Sequence, residues 1–568
     1  MIYFTVVWAG LIMVCWVIGI AVLNRLQPTA FLRLGDRAIV ATWLGLVILA
    51  ACLLATSLVT PLSPLTSLLV TLGLVGASLV NPRNRADLLD LRAALSPTTL
   101  LLGLSSAWLV AALTSQSVAW IDTGLYHYSS IQWLANYGST RGIALLFNNF
   151  GFTSAWFALA APFNPPLLEA RASAVVNGFA LWMALLSAII CLNRLLRKST
   201  SQLSDWFLMT YWVVFLPILI FHPLFNVMLV SSAPDIGVMF LTGITTWSLM
   251  VTLLNHQQSP TIPLVLAAST VAIKLVAIPL LLVIGLCYLT TSKPTFKHLG
   301  IGGSLVSLII GPFITSSLLT SGCPLYPSTL FCLNVPWAPT QEAIQQVAKA
   351  THNLTSWIPK HPTGVNPWLW TLWKLLSKDE TSLLLLLLSA GTIVVIGYGV
   401  KRFQPGQLQI YVWITGINMT GILFLISTAP FSRFILPYAI LVLALAIAAM
   451  GRLIYRIPKV QSWLMAIDRQ IITLSSRRLL LGPVVVILVI GIGIQCRDRW
   501  ILPLPMRSVP VIQKQVNNIT YWSPDPGNTK TPIDNLCWSA PLPCAFEVAP
   551  DVWLRDPSQG IAGGFVRR

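Results

Sequence analysis

Long uninterrupted apolar runs restrict this chain more than any other feature. Ile2 to Leu23, Ile39 to Leu58, Leu383 to Tyr398 and Leu480 to Ile494 each approach the roughly 20 apolar residues that cross a hydrocarbon layer about 30 Å thick. In lipid, backbone N–H and C=O groups must be satisfied inside the segment, so runs of this kind form helices. Charged residues make up 9% of the 568 and hydrophobic ones 56%, whereas a soluble domain is about one quarter charged. No soluble core needs that much apolar surface, and the expected fold is an all-α polytopic membrane protein.

The formal net charge of +18 raises nucleic-acid binding as a function, and its distribution argues against it. The basic residues fall in short loops: Arg25, Arg33 and Arg37; Arg83, Arg85 and Arg92; Arg194, Arg197 and Lys198; Lys401 and Arg402. That spacing follows the positive-inside pattern of membrane proteins. The segment at Met1 has no basic n-region and no small-residue cleavage site, so a removable signal peptide is not expected. Its positive flank is C-terminal, which places the N-terminus outside.

Spans are expected near residues 2–23, 39–58, 65–80, 98–113, 172–192, 206–221, 234–254, 299–319, 381–399, 408–428, 434–450 and 479–496. The stretch Thr261 to Thr290 has two readings. As one long helix it buries Lys274 near the bilayer centre, at a cost of roughly 2.5 to 3.5 kcal/mol. As two short helices turning around Lys274 to Pro279 it lifts that lysine to the outer interface, and the hairpin is preferred. About 14 crossings result. They divide the chain into N-terminal helices (1–97), a helical core (98–319) whose first external loop is 114–171, a second external loop (320–380), C-terminal helices (381–496) and an external tail (497–568).

Of the nine cysteines, Cys323, Cys332, Cys496, Cys537 and Cys544 fall in external segments. Cys323 with Cys332, and Cys537 with Cys544, can each close a small loop in an oxidising compartment, with unpaired thiols as the alternative. The Cys537–Cys544 bridge is the one expected, because a short Pro-containing loop has little core and a crosslink limits its unfolded freedom. No Cys/His metal spacing, P-loop or GxGxxG is present, so nothing points to a nucleotide. A divalent metal is left open as a cofactor.

The first external segment, Trp120 to Phe157, concentrates polar groups beside a bilayer: Asp122, Tyr126, His127, Asn136, Tyr137, Arg141, Asn148 and Asn149. Leu125, Tyr128, Ile131 and Ala135 fall on one helical face, with His127, Ser130 and Asn136 turned away from much of it. An external amphipathic helix on the membrane surface is the expectation. Asp122 and Thr123 stand where an N-cap would, so capping competes with catalysis as the role of Asp122.

DTGLYH, followed by WLxxYG, RG and NFGFTSAWF, resembles the signature of a group of uncharacterised bacterial multi-pass proteins. GCPLYPST (322–329), APFSRF (429–434) and CWSAPLPC (537–544) extend that resemblance over most of the chain. More distantly the layout looks like the GT-C glycosyltransferases, which move a sugar from a polyprenyl-phosphate donor on the external face. The resemblance implies that Asp122 is the acid of their first external loop. It likewise makes Asp235, in APDIGVMF, the acid opening a later helix, and gives VAIKLVAIP their lysine-containing hairpin. Many members pair two acids in that first loop, whereas here only Asp122 is present.

Elementary chemistry runs in the same direction. Inverting transfer from a lipid phosphate needs a carboxylate to take the acceptor proton and cations for the charge that grows on the leaving phosphate. Asp122, His127 and Asp235 are the catalytic candidates; Tyr126, Arg141, Asn148, Asn149, Lys274 and Arg433 are the substrate-binding ones. The partners expected are the bilayer, a polyprenyl-phosphate-linked sugar and a glycan or lipid acceptor, at the outer face of a bacterial inner membrane. The rivals are a transporter or flippase of lipid-linked saccharides, in which intramembrane ions line a path, and an external saccharide ligase or polymerase.

Overall fold

A computed structural model describes the chain apart from residues 28, 30, 95, 197–200, 255–258, 292–294, 354–361, 367–368, 371–372, 374–385, 395–396, 398–406, 456–490, 492–493 and 529–530. The described helices are α1 (Ile2–Leu26), α2 (Leu34–Ser57), α3 (Pro64–Leu79), α4 (Pro82–Ala94), α5 (Pro97–Thr114), α6 (Tyr128–Tyr137), α7 (Ala155–Ala160), α8 (Val175–Leu196), α9 (Leu203–Phe221), α10 (Pro223–Leu229), α11 (Pro234–Leu254), α12 (Thr261–Ile273), α13 (Ile278–Thr291), α14 (Phe296–Ser321), α15 (Gln341–Asn353), α16 (Leu408–Thr428) and α17 (Ser432–Tyr455). Among the described residues eight helices are long and apolar enough to cross a membrane: α1, α2, α8, α9, α11, α14, α16 and α17. The protein is a helical membrane protein. The expected crossing at 65–80 is α3, which bends by 98° into α4. The one at 381–399 lies about half outside the described residues and the one at 479–496 largely so, and Arg197, Lys198, Lys401 and Arg402 are outside them too.

Local sequence fixes several helix starts. Ser63 and Ser96 each precede a proline, and their hydroxyls accept from the N–H groups of Thr66 and Thr99 at 3.1 Å, so proline supplies the helical φ and serine the cap. Packing is closest between α1 and α2. A Cβ on Gly19 would stand 1.7 Å from the Ala41 carbonyl oxygen, and one on Gly45 1.7 Å from that of Cys15. Small residues let helix backbones approach in lipid, where apolar surface alone gives no preference for a neighbouring helix.

Chain direction can be followed through hydrogen bonds at the two ends of the bundle. Gln27, just past α1, donates to Ser259 and accepts from Ile262 N at 3.3 Å, so α12 starts beside the far end of α1. It returns to Lys274, where the backbone becomes extended, and α13 leads away again. Tyr288 near the end of α13 donates to His298 O at 2.9 Å; α14 then comes back, and Leu319 O accepts from Gly142 N of the first loop. The stretch 261–290 is therefore the two-helix hairpin the charge of Lys274 calls for, with the lysine at its turn.

The tail departs from the all-α expectation. It forms two small antiparallel pairs, β1 (Val511–Val516) with β2 (Ile519–Pro524) and β3 (Val552–Leu554) with β4 (Phe565–Arg567). Alternation in a sequence rich in proline and tryptophan suits short strands better than helix turns. The expected bridge, Cys537–Cys544, is formed, and Cys323–Cys332, the pair left open, is bridged as well.

Candidate functional site

The site begins at Asp122, just after α5. Its backbone is already helical (φ −62°, ψ −23°) and its carboxylate makes no capping bond to the turn that follows, which removes capping as its role. Residues Thr123–His127 form one π-helical turn that passes into α6. Single π turns are rare and often mark functional positions. The wider turn sets both Tyr126 and His127 inward, and the expected surface-lying amphipathic helix is not what forms. Thr123, Tyr126, His127, Tyr128, Ile131, Trp133 and Ala135 are all buried; Asn136 faces out. The cover comes from the tail, which no helical periodicity could reveal. Trp538 N donates to Gly124 O at 2.9 Å, and a Cβ on Gly124 would lie 2.5 Å from the Trp538 ring.

Four charges from four parts of the chain meet here. Arg433, in the first turn of α17, reaches Asp122 with Nη2–Oδ2 at 3.6 Å. Lys274, at the hairpin turn, binds Asp235 with Nζ–Oδ1 at 2.6 Å, and Asp235 opens α11, where a negative charge also suits the helix N-terminus. Phe434 joins the two pairs: Lys274 Nζ stands 4.6 Å and the Arg433 guanidinium 5.0 Å from its ring centroid. Arg433 also lies over Trp120 at 5.1 Å and Phe431 at 4.8 Å. Such stacking holds a cation without neutralising it.

Electrostatics distinguish the members. Burial pushes the Asp122 carboxyl above its ordinary range; Arg433 and then Lys274 pull it back, while Asp235 adds to the rise. The Tyr126 hydroxyl is driven well above its usual value by burial and by both carboxylates. Burial, with Lys274 reinforcing it, holds His127 well below an ordinary imidazole, so that it is neutral near pH 7. The His127 ring packs on Tyr126 at 4.5 Å and Phe157 at 5.2 Å, with Nδ1 3.4 Å from Thr123 Oγ1. It is fully buried, so any part it takes is through its neighbours. Of the two carboxylates Asp122 is the one that meets solvent, with 24% of its side chain exposed against 1% for Asp235.

Not every expected residue joins this cluster. The Arg141 guanidinium lies over Trp337 at 4.7 Å, and its backbone oxygen accepts from Phe565 N at 2.9 Å. Asn148 lines a cleft between the loops and the tail. No cluster of three or more His, Cys, Asp or Glu suited to a metal occurs among the described residues. Sequence reasoning missed Trp120 and Phe434 as supports for the cations and Trp538 as the cover. The signal for two of them was present, since Phe434 closes APFSRF and Trp538 follows Cys537 in CWSAPLPC.

Residues 1–440 match a family described as a domain of unknown function, DUF8201. The chain belongs to the DUF8201 family. The DUF8201 span contains Asp122, Asp235, Lys274 and Arg433, and so the entire charged cluster. No curated protein and no solved structure matches the chain.

Proposed function

We propose that this DUF8201 protein is a GT-C-like glycosyltransferase of about 14 spans in a bacterial inner membrane. It would use a polyprenyl-phosphate-linked sugar and transfer it to a glycan or lipid acceptor on the external face. One observation carries the reading: a solvent-reaching carboxylate, Asp122, stands beside two cations, Arg433 and Lys274, at a helix hairpin turn.

In the reaction, an acceptor hydroxyl gives its proton to the Asp122 carboxylate as its oxygen bonds to the anomeric carbon of the donor sugar. The bond from that carbon to the phosphate oxygen breaks and its electron pair goes to the leaving polyprenyl phosphate. Arg433 and Lys274 stabilise that growing charge, more so because the aromatic rings around them exclude water. A carboxyl raised by burial suits the work, since a base is most effective when its pKa approaches the working pH. Asp235 holds Lys274 in place from below. Both disulfides lie on the face of Asp122, Cys323 packing beside Phe152 and the Cys537–Cys544 loop resting on Gly124, which favours an oxidising, external compartment.

The test uses membranes carrying the protein and a panel of labelled polyprenyl-phosphate sugars. The reading expects transfer by wild type and its loss in Asp122→Asn. If wild type transfers no sugar yet moves labelled lipid between leaflets, the flippase takes its place. An external ligase or polymerase would instead consume a lipid-linked oligosaccharide and leave the single-sugar donors untouched.

A further inference from the structure

A second site lies away from the four charges. The first loop, the start of α15 and the tail border an open cleft of about 410 Å³, lined among others by Phe147, Asn148, Thr340, Glu547, Asp551 and Arg567. That volume is in the range of small-ligand pockets, which are mostly apolar walls with a few placed polar groups. Asp551 and Arg567 satisfy each other at 2.7 Å, and the Thr340 hydroxyl accepts from Ala343 N at 3.1 Å. The side chains of Asn148, half-buried, and Glu547, exposed at the mouth, have no hydrogen-bonding partner among the described residues. The lining thus combines an amide and a carboxylate free to bond, a neutralised ion pair, and apolar walls in which Phe147 is the one aromatic ring. Hydroxyl-rich ligands with apolar C–H faces match it; anionic ones meet the unpaired Glu547.

The cleft is also joined to the charged site by a short, well-packed segment. Phe147 packs on Phe546 at 5.0 Å and on Phe150 at 5.5 Å, Gly151 lies against the Tyr326 ring, and Phe152 packs on Tyr126 at 5.6 Å. From Phe147 to Phe152 the chain spans at most about 18 Å, and Tyr126 is four residues from Asp122.

We infer that this cleft binds the saccharide part of the acceptor, a neutral glycan, and presents its end towards Asp122. The inference rests on the transferase reading for its role and can be tested apart from it. Purified full-length protein in detergent is applied to an array of defined oligosaccharides, and the dissociation constants of retained glycans are measured for wild type, Asp122→Asn and Asn148→Ala/Glu547→Gln. The double variant changes two side chains without protein partners, and its melting temperature should equal that of wild type. The expected result is retention of neutral glycans by wild type and Asp122→Asn, weakened about tenfold or more in the double variant, which removes the Asn148 amide and the charge that strengthens a bond to Glu547. Its acceptor KM should rise in parallel with an unchanged donor KM. Retention of no glycan by wild type, or equal affinity in the double variant, overturns the cleft even if Asp122→Asn abolishes transfer. Cleft-dependent binding with full transfer in Asp122→Asn overturns the base and leaves the cleft standing.

Discussion

Two ion clusters occupy opposite ends of the bundle, and they are built differently. α8 connects the levels: Asn177 near its start donates to Ala233 O beside Asp235, and Arg194 near its end lies 17 residues on, about 26 Å along a helix. At that far end Asp205 accepts from Arg33 at 2.7 and 3.0 Å, from Arg194 at 3.0 Å and from Gln202 N at 2.8 Å. Asp36 accepts from Arg33 at 2.7 Å and pairs with Arg194. Both carboxylates are buried, and each cation is shared. The cluster around Asp122 is looser: one pair stands at 3.6 Å, Asp235 Oδ2 has no partner, and Arg433 Nε is likewise unbonded among the described residues. A closed network ties basic loops together. An open one keeps charge available for a ligand, which is the arrangement expected where charge must be stabilised during a reaction.

That contrast is sharpest at its two carboxylates. Asp122→Asn should lower transfer by about 100-fold to 10,000-fold, the usual worth of a general base, with the melting temperature in detergent held near that of wild type. Wild-type turnover in this variant breaks the functional half of the comparison. Asp205→Ala should do the reverse, destabilising the fold by up to about 3 kcal/mol, because it takes one of two shared carboxylates from the half-buried Arg33 and Arg194 and leaves Asp36 to hold both. A thermal-shift measurement that shows no loss would mean that the far cluster is not structural.

A smaller effect is expected where the tail covers the open cluster. Gly124→Ala forces a methyl into the Trp538 ring, and overpacking of that kind costs about 1–3 kcal/mol. Trp538 fluorescence is one of 22 tryptophan signals, so hydrogen exchange across residues 120–137 is the better readout, and it should rise. Unchanged protection would show that the tail does not hold the turn.

The smallest effect concerns pH. Burial raises the Asp122 carboxyl and Arg433 opposes the rise, so the acidic limb of kcat should lie above the ordinary carboxylate range. Arg433→Gln removes an opposing charge and should move that limb further up at saturating donor. A limb that stays put, or moves down, would show that Asp122 is not the group being titrated.

Much of the bundle can be read from residues in order. Apolar runs set the spans because lipid leaves backbone groups no other partner, and Lys274 set the hairpin because a cation is costly at the bilayer centre. The same logic failed at residues 123–137. Leu125, Tyr128, Ile131 and Ala135 do form a stripe, but a stripe says only that one face is apolar. Both faces are covered here, by the bundle and by a tail four hundred residues later in the chain, and a π turn shifts the register between Asp122 and Tyr128.

By itself, then, the sequence determined the helical membrane class, which cysteines lie close enough along the chain to pair, and the short list of ions able to sit at a helix end. Each of these follows from local chemistry: chain length against bilayer thickness, loop size, the cost of charge in lipid. Only the tertiary structure decided which ions meet. Asp122 faces Arg433 across 311 positions, and Lys274 faces Asp235 across 39, while Arg141, 19 positions from Asp122, is held over Trp337 instead. Those choices depend on how helices stack and on where the tail folds back, and such packing arises from the whole set of side-chain contacts, which no single stretch of residues contains.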